Sequence, residues 1–238
     1  MLNRCFMPKS FILPVLPAIL AMLFAGCKKS AENPTMATEA VVPTSGTLVV
    51  YFSWTENMAG PPAGVQAVTS ATYPPNDNVA GNRMGNIEAM ATMLRDRFGA
   101  YVHSIHMDKP YDSVYEKMHD RAIDEIRKDR EVALSGGPGA LDGYGTVFLG
   151  FPIWGGGLPQ PMVSFLKAND LSGKRIVPFA INLGSGMGRI PKQLSSLCPN
   201  STITEGFNIA AATANAEAAE AFTKWLDEHH ILPESQGK

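Results

Sequence analysis

Three short segments carry the residue types on which a ligand site could be built. Gly145 to Trp154 reads Gly-Thr-Val-Phe-Leu-Gly-Phe-Pro-Ile-Trp and continues into Gly155-Gly156-Gly157-Leu158-Pro159. An apolar run without alternation reads as a strand buried on both faces. An aromatic followed by three glycines at its carboxyl end offers a flat ring a platform and lets backbone approach it. A glycine-rich crossover turn, with Trp154 as a packing residue, would have the same composition. Two further apolar runs change the balance because they end in a similar way: Thr47 to Ser53 runs into Trp54-Thr55, and Lys174 to Ile181 runs into Asn182-Leu183-Gly184-Ser185-Gly186. In open parallel sheets, ligands sit outside the carboxyl ends of the strands, where the strand order reverses.

Other chemistries find little support. There is no Gly-x-Ser-x-Gly elbow for a hydrolase on an α/β sheet, and no Walker-type loop. His103 and His106 are spaced so that they do not share a strand face, and no carboxylate and cysteine cluster joins them into a metal set. His229 and His230 close the last helix, where a cation suits the helix dipole. Tyr111, Tyr115 and Glu125 read as surface and packing positions of a helix.

The elements that must position the three loops alternate along the chain. Strands are expected at Thr47 to Ser53, Tyr101 to Ile105, Gly145 to Trp154, Lys174 to Ile181 and Thr202 to Ala210. Helices are expected at Asn86 to Phe98, Tyr111 to Glu131, Pro159 to Ala168, Ile190 to Leu197 and Ala214 to His230. In the first helix Ile87, Met90, Ala91, Leu94 and Phe98 recur at helical intervals and Gly99 ends the pattern. Alternating strands and helices call for a parallel sheet covered on both faces.

The amino terminus stands apart. Arg4 and Lys9 precede the apolar run Phe11 to Ala25, which ends in Leu-Phe-Ala-Gly-Cys, the pattern of an export signal. It resembles a bacterial lipoprotein signal over residues 1–26, with Cys27 as the lipidated residue, although Phe24 departs from the usual aliphatic residue. Pro14 and Pro17 argue against a permanent spanning helix. Residues 27–46, polar and proline-containing, read as a tether from a lipid anchor on the periplasmic side of a bacterial membrane. Loss of Arg4 and Lys9, with no acidic residue, would take the net charge from −2 to −4, which offers nucleic acid no basic face. With Cys5 removed and Cys27 acylated, Cys198 is left without a disulfide partner and reads as a small buried filler.

The three strand ends together resemble the flavodoxin-like family, in particular its lipoprotein-borne members. The matching stretches are Leu-Val-Val-Tyr-Phe-Ser-Trp-Thr at 48–55, Phe-Leu-Gly-Phe-Pro-Ile-Trp at 148–154 and Ser-Gly-Lys-Arg-Ile-Val-Pro-Phe at 172–179. The resemblance implies an open parallel five-stranded sheet of order 2-1-3-4-5 with helices on both faces, over residues 47–232, followed by a tail at 233–238. It also implies non-covalent flavin mononucleotide (FMN), with the phosphate in the loop after the first strand and the ring between the loops after the third and fourth.

The phosphate loop departs from the family pattern, in which Ser/Thr-x-Thr-Gly-Asn-Thr runs straight into the first helix. Here Ser53-Trp54-Thr55 is followed by residues 56–84, rich in proline, glycine and alanine, and Gly85-Asn86-Ile87 then opens the helix. The expected loop is therefore split around an insertion. Ser53 and Thr55 bring hydroxyls, Asn86 and Ile87 bring the helix end, and a phosphate needs these groups to converge only in space. Ile87 lacks the family's threonine hydroxyl; Thr69 or Ser70 in the insertion could replace it.

By the same resemblance, Pro152, Ile153, Trp154, Gly155 and Gly156 would meet the ring from one side, and Asn182, Gly184, Ser185 and Gly186 from the other. Gly155 stands where the family often has a second tryptophan. The chemistry would then belong to the flavin, which takes up electrons while the protein tunes it. The chain would serve as an electron carrier, or as a reductase with a nicotinamide, quinone or protein partner. The competing expectation is a binding protein that keeps the scaffold and has lost the flavin.

Overall fold

The computed structural model describes residues 46–59, 85–211, 213 and 215–232. The expected signal peptide, Cys27, the tether through residue 45, residues 60–84 of the insertion, and the tail lie outside them. Five parallel strands form the central sheet: β1 (Thr47–Tyr51), β2 (Tyr101–Ser104), β3 (Thr146–Pro152), β4 (Arg175–Asn182) and β5 (Phe207–Ala210). Their order is β2-β1-β3-β4-β5, the expected 2-1-3-4-5 arrangement. The order reverses between β1 and β3, because the chain leaves β1 for β2 on one side and later returns to β3 on the other.

Why the strands lack alternation is clear from the layers. Leu48, Val50, Phe52, Leu149 and Phe151 face helices α2 (Tyr115–Arg127), α3 (Gln160–Ala168) and α4 (Ile190–Leu197). Val49, Tyr51, Phe148 and Phe179 face α1 (Asn86–Phe98) and α5 (Asn215–Glu228). Each strand residue is thus covered whichever way it points, and both parities must be apolar. In α1 the stripe Ile87, Met90, Ala91, Leu94 and Phe98 is buried, and Gly99, at φ 59°, closes the helix in the left-handed conformation that costs glycine least. Phe179, Phe222 and Phe207 stack in sequence at 5.2 and 4.7 Å, which fastens α5 to β4 and β5.

Two expected elements need correcting. The second helix begins at Tyr115, not Tyr111; Tyr111–Asp112 instead pairs in parallel with Met58–Ala59. A buried tyrosine in an edge pairing is stabilised there by contacts from far along the chain, which helical spacing does not register. The fifth strand is broken into Thr202–Ile203 and Phe207–Ala210. Ile176 O accepts the Thr204 N–H, so residues 176 and 178 of β4 face this strand, and Pro178 has no N–H to offer. Between the two pieces the register gains one residue, from Ile176↔Ile203 to Phe179↔Phe207, as in a bulge.

Candidate functional site

The carboxyl ends of β1, β3 and β4 lie side by side, since these strands are consecutive in the sheet. After β1 the chain turns through Ser53-Trp54-Thr55 into a single 3-10 turn, Thr55–Asn57. Asn57 is buried and fixes this turn: its Nδ2 donates to Ser53 O and Ile105 O, each at 2.9 Å, and its Oδ1 accepts the Met107 N–H at 2.8 Å. The opening of the expected insertion, residues 56–59, is therefore part of the packed domain.

The amino end of α1 comes to the same place. Ser53 Oγ lies 2.5 Å from Glu88 Oε1 and 2.7 Å from Thr55 Oγ1, and it accepts the Thr55 N–H at 3.1 Å. The other Glu88 oxygen accepts the Gly85 N–H, half of a capping box. The two parts of the split loop thus meet, and what they hold is the chain's own carboxylate. Burial raises the Glu88 pKa, partly offset by the hydrogen bonds from Ser53 and Gly85, and nearby Glu56 adds to the rise. Glu56 is itself held by Tyr51 Oη at 2.9 Å and by the Ser104 hydroxyl.

At the ends of β3 and β4 two glycine loops are locked together. Trp154 and Gly157 exchange backbone hydrogen bonds of 3.1 and 3.0 Å around Gly155 and Gly156, both at positive φ, the type I′ pattern. Ile153 N–H donates to Ile181 O at 2.9 Å. The Arg189 N–H donates to Gly156 O at 3.0 Å, and its guanidinium to Gly155 O at 2.9 Å. Trp154 stands half-buried with its ring at 5.4 Å from both Phe52 and Tyr111, edge-on to each. Leu183, 62% exposed, projects from the second loop next to Gly184 and Ser185.

The sequence profile of the family described as Flavodoxin matches residues 81–229. The chain belongs to the flavodoxin family. The match begins just ahead of Gly85, so β1 and Ser53 to Thr55 lie outside it. Two solved structures share the fold of this flavodoxin-family chain, both of proteins assigned as flavoproteins. The one from Bacteroides uniformis has 22% identity and TM-score 0.52, with 75% of this chain and 98% of that chain covered. The one from Bacteroides eggerthii has 24% identity and TM-score 0.52, with 76% and 96% covered. No curated protein matches the chain.

Not every residue expected at the flavodoxin site lies open to a ligand. Trp54 is 1% exposed and packs among the core residues on the α2 side, 6.4 Å from Tyr115. Ile87 and Pro152 are likewise buried, Ile87 in the α1 stripe and Pro152 at the carboxyl end of β3, where it pairs with Ile181. Asn86 spends its Nδ2 on Thr213 O at 2.9 Å. Asn182 spends both ends of its amide: Nδ2 donates to Asn208 Oδ1 at 2.9 Å, and Oδ1 accepts the Gly184 N–H at 2.7 Å. Ser53 is buried, with its hydroxyl on Glu88; Thr55, Ile153, Trp154, Gly155, Gly156, Gly184, Ser185 and Gly186 stay partly or fully exposed at the carboxyl ends of the strands. Glu88, Arg189 and Gln193 are the residues the sequence reading passed over. Gln193 Oε1 accepts the Leu158 N–H at 2.9 Å and so steadies the first glycine loop.

Two further expectations change in detail. Tyr111 is fully buried off the helix; its hydroxyl lies 2.5 Å from Glu125 Oε2, and Arg121 pairs with Glu125 at 2.8 Å. Surface and packing positions of a helix were expected; Tyr111 packs, but off the helix, and with Glu125 it makes a buried polar link behind Trp154. Burial, then the Glu125 hydrogen bond, raises the Tyr111 pKa well above the ordinary tyrosine value. His103 is half-buried against Phe165 at 6.1 Å, with its pKa lowered by burial and by His106. Among the described residues no group of histidine, cysteine and carboxylate side chains could hold a metal ion, and Cys198 is buried.

Proposed function

We propose that this chain binds FMN non-covalently across the carboxyl ends of β1, β3 and β4, and transfers electrons through it. The observation that carries the reading is the meeting of the split loop: Ser53, Thr55 and the start of α1 converge although residues 56–84 separate them in sequence. A phosphate would take the hydroxyls of Ser53 and Thr55 and the N–H groups at the start of α1. Trp154, Ile153 and Leu183 would flank the ring, and Gly155, Gly156 and Gly184 would let backbone approach its polar edge. The flavin supplies the electron chemistry, and these side chains hold and orient it. Arg189, by tying the carbonyls of Gly155 and Gly156 together, keeps the first loop rigid around the ring.

The electron partner is a nicotinamide, a quinone or another protein. Export and lipid attachment at Cys27 complete the proposal, with the domain held near the outer face of the inner membrane or the inner face of the outer one. A second reading, that of a flavodoxin-fold binding protein without flavin, gains from one observation, that Glu88 already sits on Ser53.

One titration decides between them. Purified protein added to FMN should quench its fluorescence to a one-to-one end point, and mass spectrometry of the supernatant after denaturation should find the flavin. Colourless protein that leaves FMN fluorescence unchanged would favour the second reading.

A further inference from the structure

Resting on the flavin reading, we propose that Glu88 is an intrachain competitor of the flavin phosphate. It gates FMN binding by pH and cancels the advantage that a phosphate would otherwise give FMN over riboflavin. Ser53 can donate its one proton to only one acceptor. At 2.5 Å from Glu88 Oε1 it donates there and accepts from the Thr55 hydroxyl at 2.7 Å. The first free N–H of the α1 end, that of Gly85, goes to the same carboxylate. Two of the donors suited to a phosphate, the Ser53 hydroxyl and the Gly85 N–H, are therefore engaged by an anion that cannot diffuse away.

The surroundings sharpen the conflict. The groups facing Glu88 are Ser53 and Thr55 from the end of β1, Glu56 from the 3-10 turn, and Gly85 from its own helix, with Tyr51 beyond Glu56. The charged one among these is another carboxylate. A phosphate ester carries about −1.5 to −2 charge at neutral pH, so phosphate and ionised Glu88 cannot share the seat; like charges in contact there are weakly screened. Burial already disfavours the charged form of Glu88. Mild acid therefore discharges the competitor and frees the Ser53 and Gly85 donors.

The test uses the full purified chain and two ligands, FMN and riboflavin, titrated by fluorescence quenching against the wild type and Glu88→Gln. The glutamine keeps the shape of the side chain and removes its charge. At neutral pH the variant should bind FMN at least about tenfold more tightly than the wild type, with riboflavin within about twofold. Wild-type affinity for FMN should rise on mild acidification. The phosphate's own second ionisation, near pH 6, contributes to that rise, and the slope left in Glu88→Gln measures its share. Wild-type protein that binds FMN far more tightly than riboflavin, with no gain in Glu88→Gln and equal pH slopes, would overturn the proposal and leave Glu88 as a helix cap, while the flavin reading stood. Quenching of neither flavin by either protein would overturn the flavin reading and this proposal with it.

Discussion

At the β1 end of the site, Ser53, Thr55, Glu88 and the Gly85 N–H all find partners within the chain. At the β3 and β4 end, Gly155, Leu183, Gly184 and Ser185 face solvent, and the bonds that order their loops run behind them, to Arg189, Gln193 and Ile181. Both ends are strand termini on one sheet edge. One is closed upon itself, whereas the other is rigid and open. The contrast teaches where affinity would reside: a ligand at the open end meets a surface already in place, while a ligand at the closed end must first displace a half-buried carboxylate.

The largest effect should come from Trp154→Ala. It removes a half-buried ring from between Phe52 and Tyr111, and a cost of about 2–3 kcal/mol, below that of a fully buried tryptophan, is expected from the urea midpoint. If the open end carries the ring, FMN and riboflavin should lose affinity together. A destabilised variant that binds both flavins normally would show Trp154 to be packing alone, and the contrast between the two ends would fail.

Gly188→Ala probes the rigidity of the open end. Gly188 sits at φ 50°, and a Cβ there would lie 2.7 Å from Gly156 O, a backbone atom that cannot swing aside. About 1–2 kcal/mol of destabilisation is expected, read from the same midpoint. An unchanged midpoint would mean that the loops after β3 and β4 are not locked to each other.

Much of this arrangement was legible in the sequence, and the reasons are local. Leu48 to Phe52, Thr146 to Pro152 and Arg175 to Asn182 show as apolar runs because both faces of their sheet are covered. The α1 stripe shows because a helix with one covered face repeats every three or four residues. The interruption of the fifth strand depends on Pro178 in the neighbouring strand, and the strand at Tyr111 depends on Met58; neither partner is near in sequence. Glu88 was missed for a related reason. A Ser or Thr three residues before a glutamate would have marked a capping box, but Gly85 stands there, and the hydroxyl that answers Glu88 is that of Ser53, 35 residues away. Arg189 and Gln193 act on loops they do not adjoin, and no spacing rule points to them. Trp54 is the converse case: a position within the expected phosphate loop suggested contact with a ligand, and side-chain direction placed it in the core.

The smallest effect, and the one closest to the difference between the two ends, is the pH dependence of stability in Glu88→Gln. The folded-state pKa of Glu88 is raised, first by burial, so the folded protein holds this proton more tightly than the unfolded chain does. The stability that results is fully present below the ordinary glutamate range, near about pH 4.3, and is lost as pH rises through the raised value. Glutamine does not titrate. The stability of the variant relative to the wild type should therefore climb with pH across that window, in urea midpoints measured from acid to neutral. A constant offset of about 1 kcal/mol either way can accompany it, because the amide keeps one acceptor and exchanges the other for a donor facing the Gly85 N–H; the slope is the test. Asp112, Asp124, Asp129, Asp170 and Asp227, whose pKa values are held down by hydrogen bonds, lower stability in acid in both proteins and cancel in the difference. A slope of the opposite sign would mean that Ser53 and Gly85 stabilise the ionised Glu88 by more than burial opposes it, and the closed end would then be a seat that its own carboxylate fills too well for a phosphate to displace.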